Sequence, residues 1–245
     1  MFLLYFKINY HCIMKNLSFY LFLFVSIVMI SCKSKSNIVI NNEILMVNKT
    51  EKNYNPLLFN QEINDTTFVN LKDYSKDFVY DMKYATSDNF LKAKVYDCGE
   101  CFLRFKTIKA LIEANNSFIK LGFKIKLYDC YRPLDVQKKM WEIVSNPTYV
   151  ANPAKGSIHN RGGAVDISLV DKNGKELDMG TKFDFFGEEA SHNYLKFSDK
   201  ILENRKLLKS VMIKTKFNSF YSEWWHYNLQ SALEDKESNE KWKCD

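Results

Sequence analysis

Apolar and polar positions follow two rhythms along this chain. Between Leu103 and Leu121 the apolar residues 108, 111, 112, 118 and 119 recur at helical spacing, and Gly122 supplies the stop. Pro133 opens a second helical stretch with Val136, Met140, Trp141 and Val144 on its inner face. A third helix is predicted from the capping residue Ser198 to about Lys214. Four segments read as strands: Phe78 to Tyr84 (FVYDMKY), Lys124 to Tyr128 (KIKLY), Ala164 to Val170 (AVDISLV) and Phe220 to Leu229. The third is apolar enough to be buried. The helices precede and interrupt the strands without a regular β-α-β alternation. That predicts an α+β fold, a single domain with a mostly antiparallel central sheet packed by helices.

The first quarter of the chain is organised differently. Leu17 to Ile30 (LSFYLFLFVSIVMI) is an apolar run behind Lys15 and ahead of Ser31-Cys32. A membrane span needs about 20 such residues, so this shorter run reads as a secretory signal. The cysteine directly after it is placed as in a bacterial lipoprotein, where that residue is lipidated. Met14-Lys15-Asn16 is the better start of such a leader. Lys33 to about Asn64 is rich in Asn, Lys and Ser, without sustained periodicity. The expected division is a lipoprotein-type signal peptide over 1–31, a polar tether and lead-in over 32–64, and a catalytic domain over 65–245. Export to the periplasm or cell envelope is expected, with the membrane reached only through a lipid anchor at Cys32 or the signal segment; the alternative is that the apolar run stays as an uncleaved membrane anchor.

Composition narrows the class. A hydrophobic share of 46% in 245 residues is enough for one ordinary core and leaves little for a second. The net charge of +6 comes from basic residues spread along the chain, not from a stripe interleaved with aromatics, so nucleic acid is not an expected partner. Cys12 lies in the leader and Cys32 is the lipidation candidate, which leaves Cys98, Cys101, Cys130 and Cys244. In an oxidising compartment an even number favours structural disulfides. Four cysteines permit three pairings. Cys98-Gly-Glu-Cys101 also matches a redox or metal half-site, although no second C-x-x-C follows.

Chemistry concentrates in two short stretches. Beyond the leader the histidines are His159, His192 and His226. His159 precedes a glycine turn in GSIHNRGGAVD, and Asp166 stands on the strand after it between Val165 and Ile167. A carboxylate in such apolar company needs a cation, because an unpaired buried charge costs several kcal/mol, about the size of a whole domain's stability. Two imidazoles and one carboxylate form a three-donor set that leaves a catalytic zinc one open position. His159, Asp166 and His226 are therefore candidate ligands for one Zn2+ per chain, held in a cleft. Glu223, in SEWWHY, is the candidate general base. On a regular strand residues three apart point to opposite faces, so Glu223 and His226 require a bulge or an irregular strand start between them. His192 is expected to be structural.

These motifs resemble the zinc D-alanyl-D-alanine dipeptidases of the VanX type, which are related to D,D-carboxypeptidases and to the Hedgehog signalling domain. Ser157, His159, Gly162, Ala164 and Asp166 match S-x-H-x-x-G-x-A-x-D, and Glu223 to His226 matches E-x-x-H. Similar segments are Lys83–Phe90, Asp129-Cys130-Tyr131-Arg132-Pro133 and Met179–Phe185, so the likeness runs from about Phe68 to Leu229. The resemblance implies that Arg132 stabilises the oxyanion and Asp129 orients Arg132. It also implies that Tyr84 and Asp184 hold the free ammonium of a small dipeptide substrate and that Ser157 lies near its carboxylate. The expected activity is hydrolysis of D-Ala-D-Ala in the envelope, processing peptidoglycan fragments. The alternative is a D,D- or L,D-carboxypeptidase acting on muropeptide stems. A zinc-stabilised binding module would lack the base or the arginine, and both residues are present.

Overall fold

The computed structural model describes residues 62–147 and 149–244, all within one compact unit. The leader, the lipidation cysteine and nearly all of the expected tether lie outside these residues. Among the described residues no helix is long and apolar enough to cross a membrane.

The main sheet has five strands in the order β2 (Val79–Tyr80), β4 (Phe123–Asp129), β5 (Ala164–Asp171), β7 (Glu223–Leu229), β6 (Phe217–Phe220). β2 runs parallel to β4; every other neighbouring pair is antiparallel. A separate two-stranded sheet joins β1 (Phe68–Asn70) to β3 (Phe102–Arg104). The helices are α1 (Leu71–Tyr74), α2 (Phe105–Ile119), α3 (Leu134–Ile143) and α4 (Asp199–Lys214). The architecture is the α+β arrangement that the sequence predicts.

The expected boundaries shift where a local feature intervenes. The strand predicted over Phe78–Tyr84 shortens to β2, because the chain turns into a 3₁₀ segment at Lys83–Ala85. The single strand predicted over Phe220–Leu229 is the hairpin β6–β7. Ser198 does precede α4, but its side chain makes no capping hydrogen bond.

One face of the sheet builds the core. α2 buries Ile108, Leu111, Ile112 and Phe118 against it, and α4 adds Leu208, Val211 and Met212. The strands answer with Ile125 and Leu127, Val165, Ile167 and Leu169, then Tyr227 and Leu229. Fully burying each such aliphatic side chain contributes roughly 1.5–3 kcal/mol. Strand periodicity then sends Asp166, His226 and Asn228 to the opposite face.

Both disulfides tie distant segments, and the C-x-x-C does not close on itself. Cys101 pairs with Cys130 at the end of β4, and Cys98 pairs with Cys244. Just before Cys244, Trp242 stacks on Phe102 with ring centroids 5.1 Å apart. The same segment donates from the Ser238 amide to the Asn160 carbonyl at 2.8 Å, bracing the turn that carries His159.

Candidate metal centre and substrate cleft

Sheet register carries the site. Asp129 pairs with Asp166 across β4–β5, and Asp166 pairs with His226 across β5–β7, so three strands deliver these residues in one lateral row. Two irregularities make the row possible. The β4–β5 register slips between Leu127 and Asp129, bringing Asp129 opposite Asp166. The β6–β7 register breaks between Ser219 and Phe220: Ser219 faces Tyr227 while Phe220 faces Glu223. The surplus residues include Trp224 and Trp225, both buried in succession, which interrupts the alternation. The bulge turns Glu223 to the side of His226, with Glu223 Oε2 4.0 Å from His226 Nδ1.

His159 arrives from the other direction, on a 3₁₀ turn over His159–Arg161. Gly162 ends that turn at φ +69°, and a Cβ there would stand 2.3 Å from the Phe68 ring. Both demands require glycine. Ser157 Oγ accepts from the His159 amide at 3.3 Å, capping the turn from inside the cleft wall.

His159, Asp166 and His226 each offer one ligand atom, and these atoms lie within 4.8 Å of one another. His159 Nδ1 donates to the Cys130 carbonyl at 2.7 Å, and His226 Nε2 donates to Asn228 Oδ1 at 2.9 Å. With the outer nitrogens so engaged, His159 Nε2 and His226 Nδ1 face inward, 3.2 Å apart, toward the Asp166 carboxylate. Three electron-rich atoms facing one point suit a cation, and their outer partners fix tautomer and ring angle. Burial alone would raise the Asp166 carboxyl, but the two imidazoles outweigh it and hold it below the usual carboxylate range. This donor set fits a divalent metal ion.

The donors open onto a cleft of about 290 Å³ that Glu223, Arg132, Tyr84, Asp184 and Ser157 also line. Burial lifts the Glu223 carboxyl above its ordinary range; His226 opposes the rise and the Asp166 charge adds to it. Arg132 is buried and doubly held, donating from Nη2 to Asp129 Oδ2 at 2.5 Å and from Nη1 to Gln137 Oε1 at 2.9 Å. Its Nε has no partner among the described residues. Asp129 is fixed in turn by the Tyr96 hydroxyl, which donates to Oδ1 at 2.7 Å. In the same cleft, the Tyr84 hydroxyl donates to Asp184 Oδ2 at 2.9 Å, and the Arg132 guanidinium lies 5.4 Å from the Tyr84 ring centroid. Burial, reinforced by the Asp166 charge, pushes the Asp184 carboxyl well above its ordinary range.

The structure thus gathers all nine candidate residues around one cleft or directly behind it. His192 stands apart, its ring against Tyr227 at 6.2 Å. The sequence reading missed Asn228, Gln137, Tyr96 and the Cys130 carbonyl. Only Asn228 carried a usable signal, since period-two alternation puts it on the face of His226. A larger cleft of about 770 Å³ lies on the other side of Asp184, but it holds none of the metal donors. Its walls carry an ion-pair network of Asp81, Lys83, Lys126 and Glu176.

Three converging donors open to a cleft, with a carboxylate and a guanidinium at its edge, are the arrangement of a metal-dependent hydrolase. The chain belongs to the D-Ala-D-Ala dipeptidase family of peptidases, Peptidase_M15, whose model matches residues 64–243. It is 34% identical over 171 residues to a D-alanyl-D-alanine dipeptidase of Escherichia coli K12, covering 69% of this chain and 89% of that one. Dipeptidases of the same description match from Enterococcus faecium, at 30% identity over 62% of this chain and 85% of the relative, and from Enterococcus faecalis, at 29% over 61% and 85%. A solved LD-carboxypeptidase, LdcB, overlaps at a TM-score of 0.38 with 19% identity, over 71% of this chain and 72% of that one. That overlap is too small to bear on the reaction.

Proposed function

We propose that this protein is a zinc-dependent D-Ala-D-Ala dipeptidase that acts outside the cytoplasm on small fragments of peptidoglycan. The observation that carries the reading is the pairing of two features in one cleft of about 290 Å³: three converging metal donors and the Tyr84–Asp184 hydrogen bond. Two imidazoles with one carboxylate suit zinc among the common divalent ions.

When bound, the ion supplies Lewis acidity, polarising the scissile carbonyl and making water acidic enough to lose a proton near neutral pH. Glu223 takes that proton and returns it to the leaving amine, tasks that suit a carboxyl whose burial has raised its affinity for protons. Arg132 presents a fixed positive charge to the oxyanion as it develops, with Asp129 and Gln137 holding the fork in place. Asp184, steadied by Tyr84, takes the substrate ammonium, and Ser157 lies toward its carboxylate. An amine held at that wall leaves no path for a longer peptide, which separates a dipeptidase from a carboxypeptidase working on muropeptide stems.

The apolar leader and Cys32 support an exported, lipid-anchored protein. The Cys98–Cys244 and Cys101–Cys130 bridges support an oxidising compartment. There the enzyme would salvage wall fragments, because precursor dipeptide is consumed in the cytoplasm. The test incubates the purified chain, loaded with zinc, with D-Ala-D-Ala, L-Ala-L-Ala and a pentapeptide stem. Release of D-alanine from the first alone is expected. No release from it defeats the reading, and comparable cleavage of the pentapeptide turns it into the carboxypeptidase.

A further inference from the structure

Asp184 belongs to neither a strand nor a helix. It sits in the segment 178–191 between β5 and α4, at φ +56°, followed by the exposed rings of Phe185 and Phe186. The regular structure of that segment is a 3₁₀ turn at Glu188–Ala190. Both its ends are tied from outside by two consecutive residues of α4.

Asn204 Nδ2 donates to the Asp178 carbonyl at 2.8 Å. Arg205 donates from Nε to the Met179 carbonyl at 2.7 Å, from Nη2 to Glu189 at 2.8 Å and from Nη1 to Ser191 at 3.0 Å. One turn of helix therefore holds both ends of the segment. Arg205 is buried, with its guanidinium 4.7 Å from the Phe197 ring centroid and 5.9 Å from that of Trp224. Trp224, in turn, donates from Nε1 to Thr181 Oγ1 at 2.8 Å. Only a planar fork reaches three carbonyls in different directions; a lysine offers one point charge. Inside these ties Phe183 is wedged between Tyr128 and Trp225, at 4.7 and 5.5 Å, and Asp184 is the next residue. Arg205 itself is not among the residues that line the metal cleft.

We propose that Arg205, assisted by Asn204, is the positioning residue for recognition of the substrate amine: by fixing both ends of 178–191 it sets where Asp184 stands relative to the metal donors. The inference rests on the reading of Asp184 as the ammonium partner. Arg205 acts through Asp184 and touches no substrate.

The test compares the zinc-loaded chain with Arg205→Gln, Arg205→Lys and Asn204→Ala. Measured are kcat and KM on D-Ala-D-Ala, kcat/KM on N-acetyl-D-Ala-D-Ala, zinc per chain, and amide hydrogen exchange by segment. Arg205→Gln is expected to raise KM on the free dipeptide by about tenfold, the scale of a lost hydrogen bond to a charged group. Its kcat should move less than about threefold, with one zinc retained. Preference for the free amine over the acetylated substrate should fall by the same factor as the KM rise. Arg205→Lys and Asn204→Ala should show the same split more weakly; they decide the matter if Arg205→Gln does not fold. Folded variants with unchanged KM and unchanged amine preference overturn the proposal, as does a fall in kcat with that preference intact. If the wild-type chain itself leaves D-Ala-D-Ala uncut, the functional reading has failed. Exchange then still judges the clamp: faster exchange over 180–188 with 164–171 unchanged supports it, and no change overturns it.

Discussion

The two walls of the cleft are built by different means. On the donor wall, Asp129, Asp166 and His226 occupy matched positions on adjacent strands, and backbone ladders hold them in a row. On the opposite wall, Asp184 stands in an irregular segment whose ties run from side chains to its backbone carbonyls. A ladder cannot shift one residue without shifting its neighbours, so Asp166 and His226 are placed together with the sheet, and His159 joins them from its 3₁₀ turn. Side-chain ties can be exchanged one at a time. The strand-borne groups are thus held by ladders and Asp184 by individual side-chain ties, a division that also separates scaffolds from binding loops in general.

Four substitutions and titrations can break that division or sharpen it. The largest effect is expected on the donor wall from Glu223→Ala, which should lower kcat by about 10²–10⁴ while zinc per chain stays unchanged by elemental analysis. A parallel loss of zinc would mean that Glu223 is needed for the metal site itself. Next is Asn228→Ala, which frees the outer nitrogen of His226. Zinc affinity, measured by competition with a chromogenic chelator, should fall about 10–100-fold, the usual scale for a partner behind a ligand. On the opposite wall, Asp184→Asn should raise KM for D-Ala-D-Ala by about tenfold or more, with chelator competition as in the wild type. A change in zinc affinity there would show that the two walls are not independent.

The smallest effect concerns His192, the residue that follows the segment carrying Asp184. Burial, with Lys209 and Arg205 adding to it, lowers His192 from its ordinary 6.5 to about 4. The unfolded chain therefore binds the extra proton first, so the stabilising contribution is complete above pH 6.5 and declines as pH falls toward 4. Thermal unfolding between pH 7 and 4 should show this decline, and His192→Gln should flatten it. An unchanged slope in the variant would assign the decline to other groups.

How much of this was legible in the sequence differs along the same line. The donors were readable because His, Asp and Glu at those spacings have few apolar-core explanations, and the helices because their apolar spacing was regular. The turn of Glu223 toward His226 was not: strict alternation puts them on opposite faces, and only the unpaired stretch through Trp224 and Trp225 resolves it. Asp184 and Tyr84, 100 residues apart, were brought together by the family resemblance alone. The carbonyl of Cys130 could not be foreseen, since every residue has a carbonyl. Gln137 meets Arg132 only once α3 follows the turn after β4, and Tyr96 meets Asp129 only when the loop before β3 lies against the end of β4. The cysteines could be read as a framework, but three pairings fitted equally until the fold selected one.

That selected pairing is nested: the loop closed by Cys101 and Cys130, 29 residues apart, lies inside the one closed by Cys98 and Cys244, 146 apart. A chain emerging from its N-terminal side exposes Cys98 first, and its nearest partner is the wrong one, Cys101. For as long as Cys244 has not emerged, Cys98 has no correct partner and must stay reduced, or be released from an incorrect bridge by thiol exchange. The outer bridge therefore waits for the last residues of the chain, whereas the inner loop can close as soon as Cys130 is available.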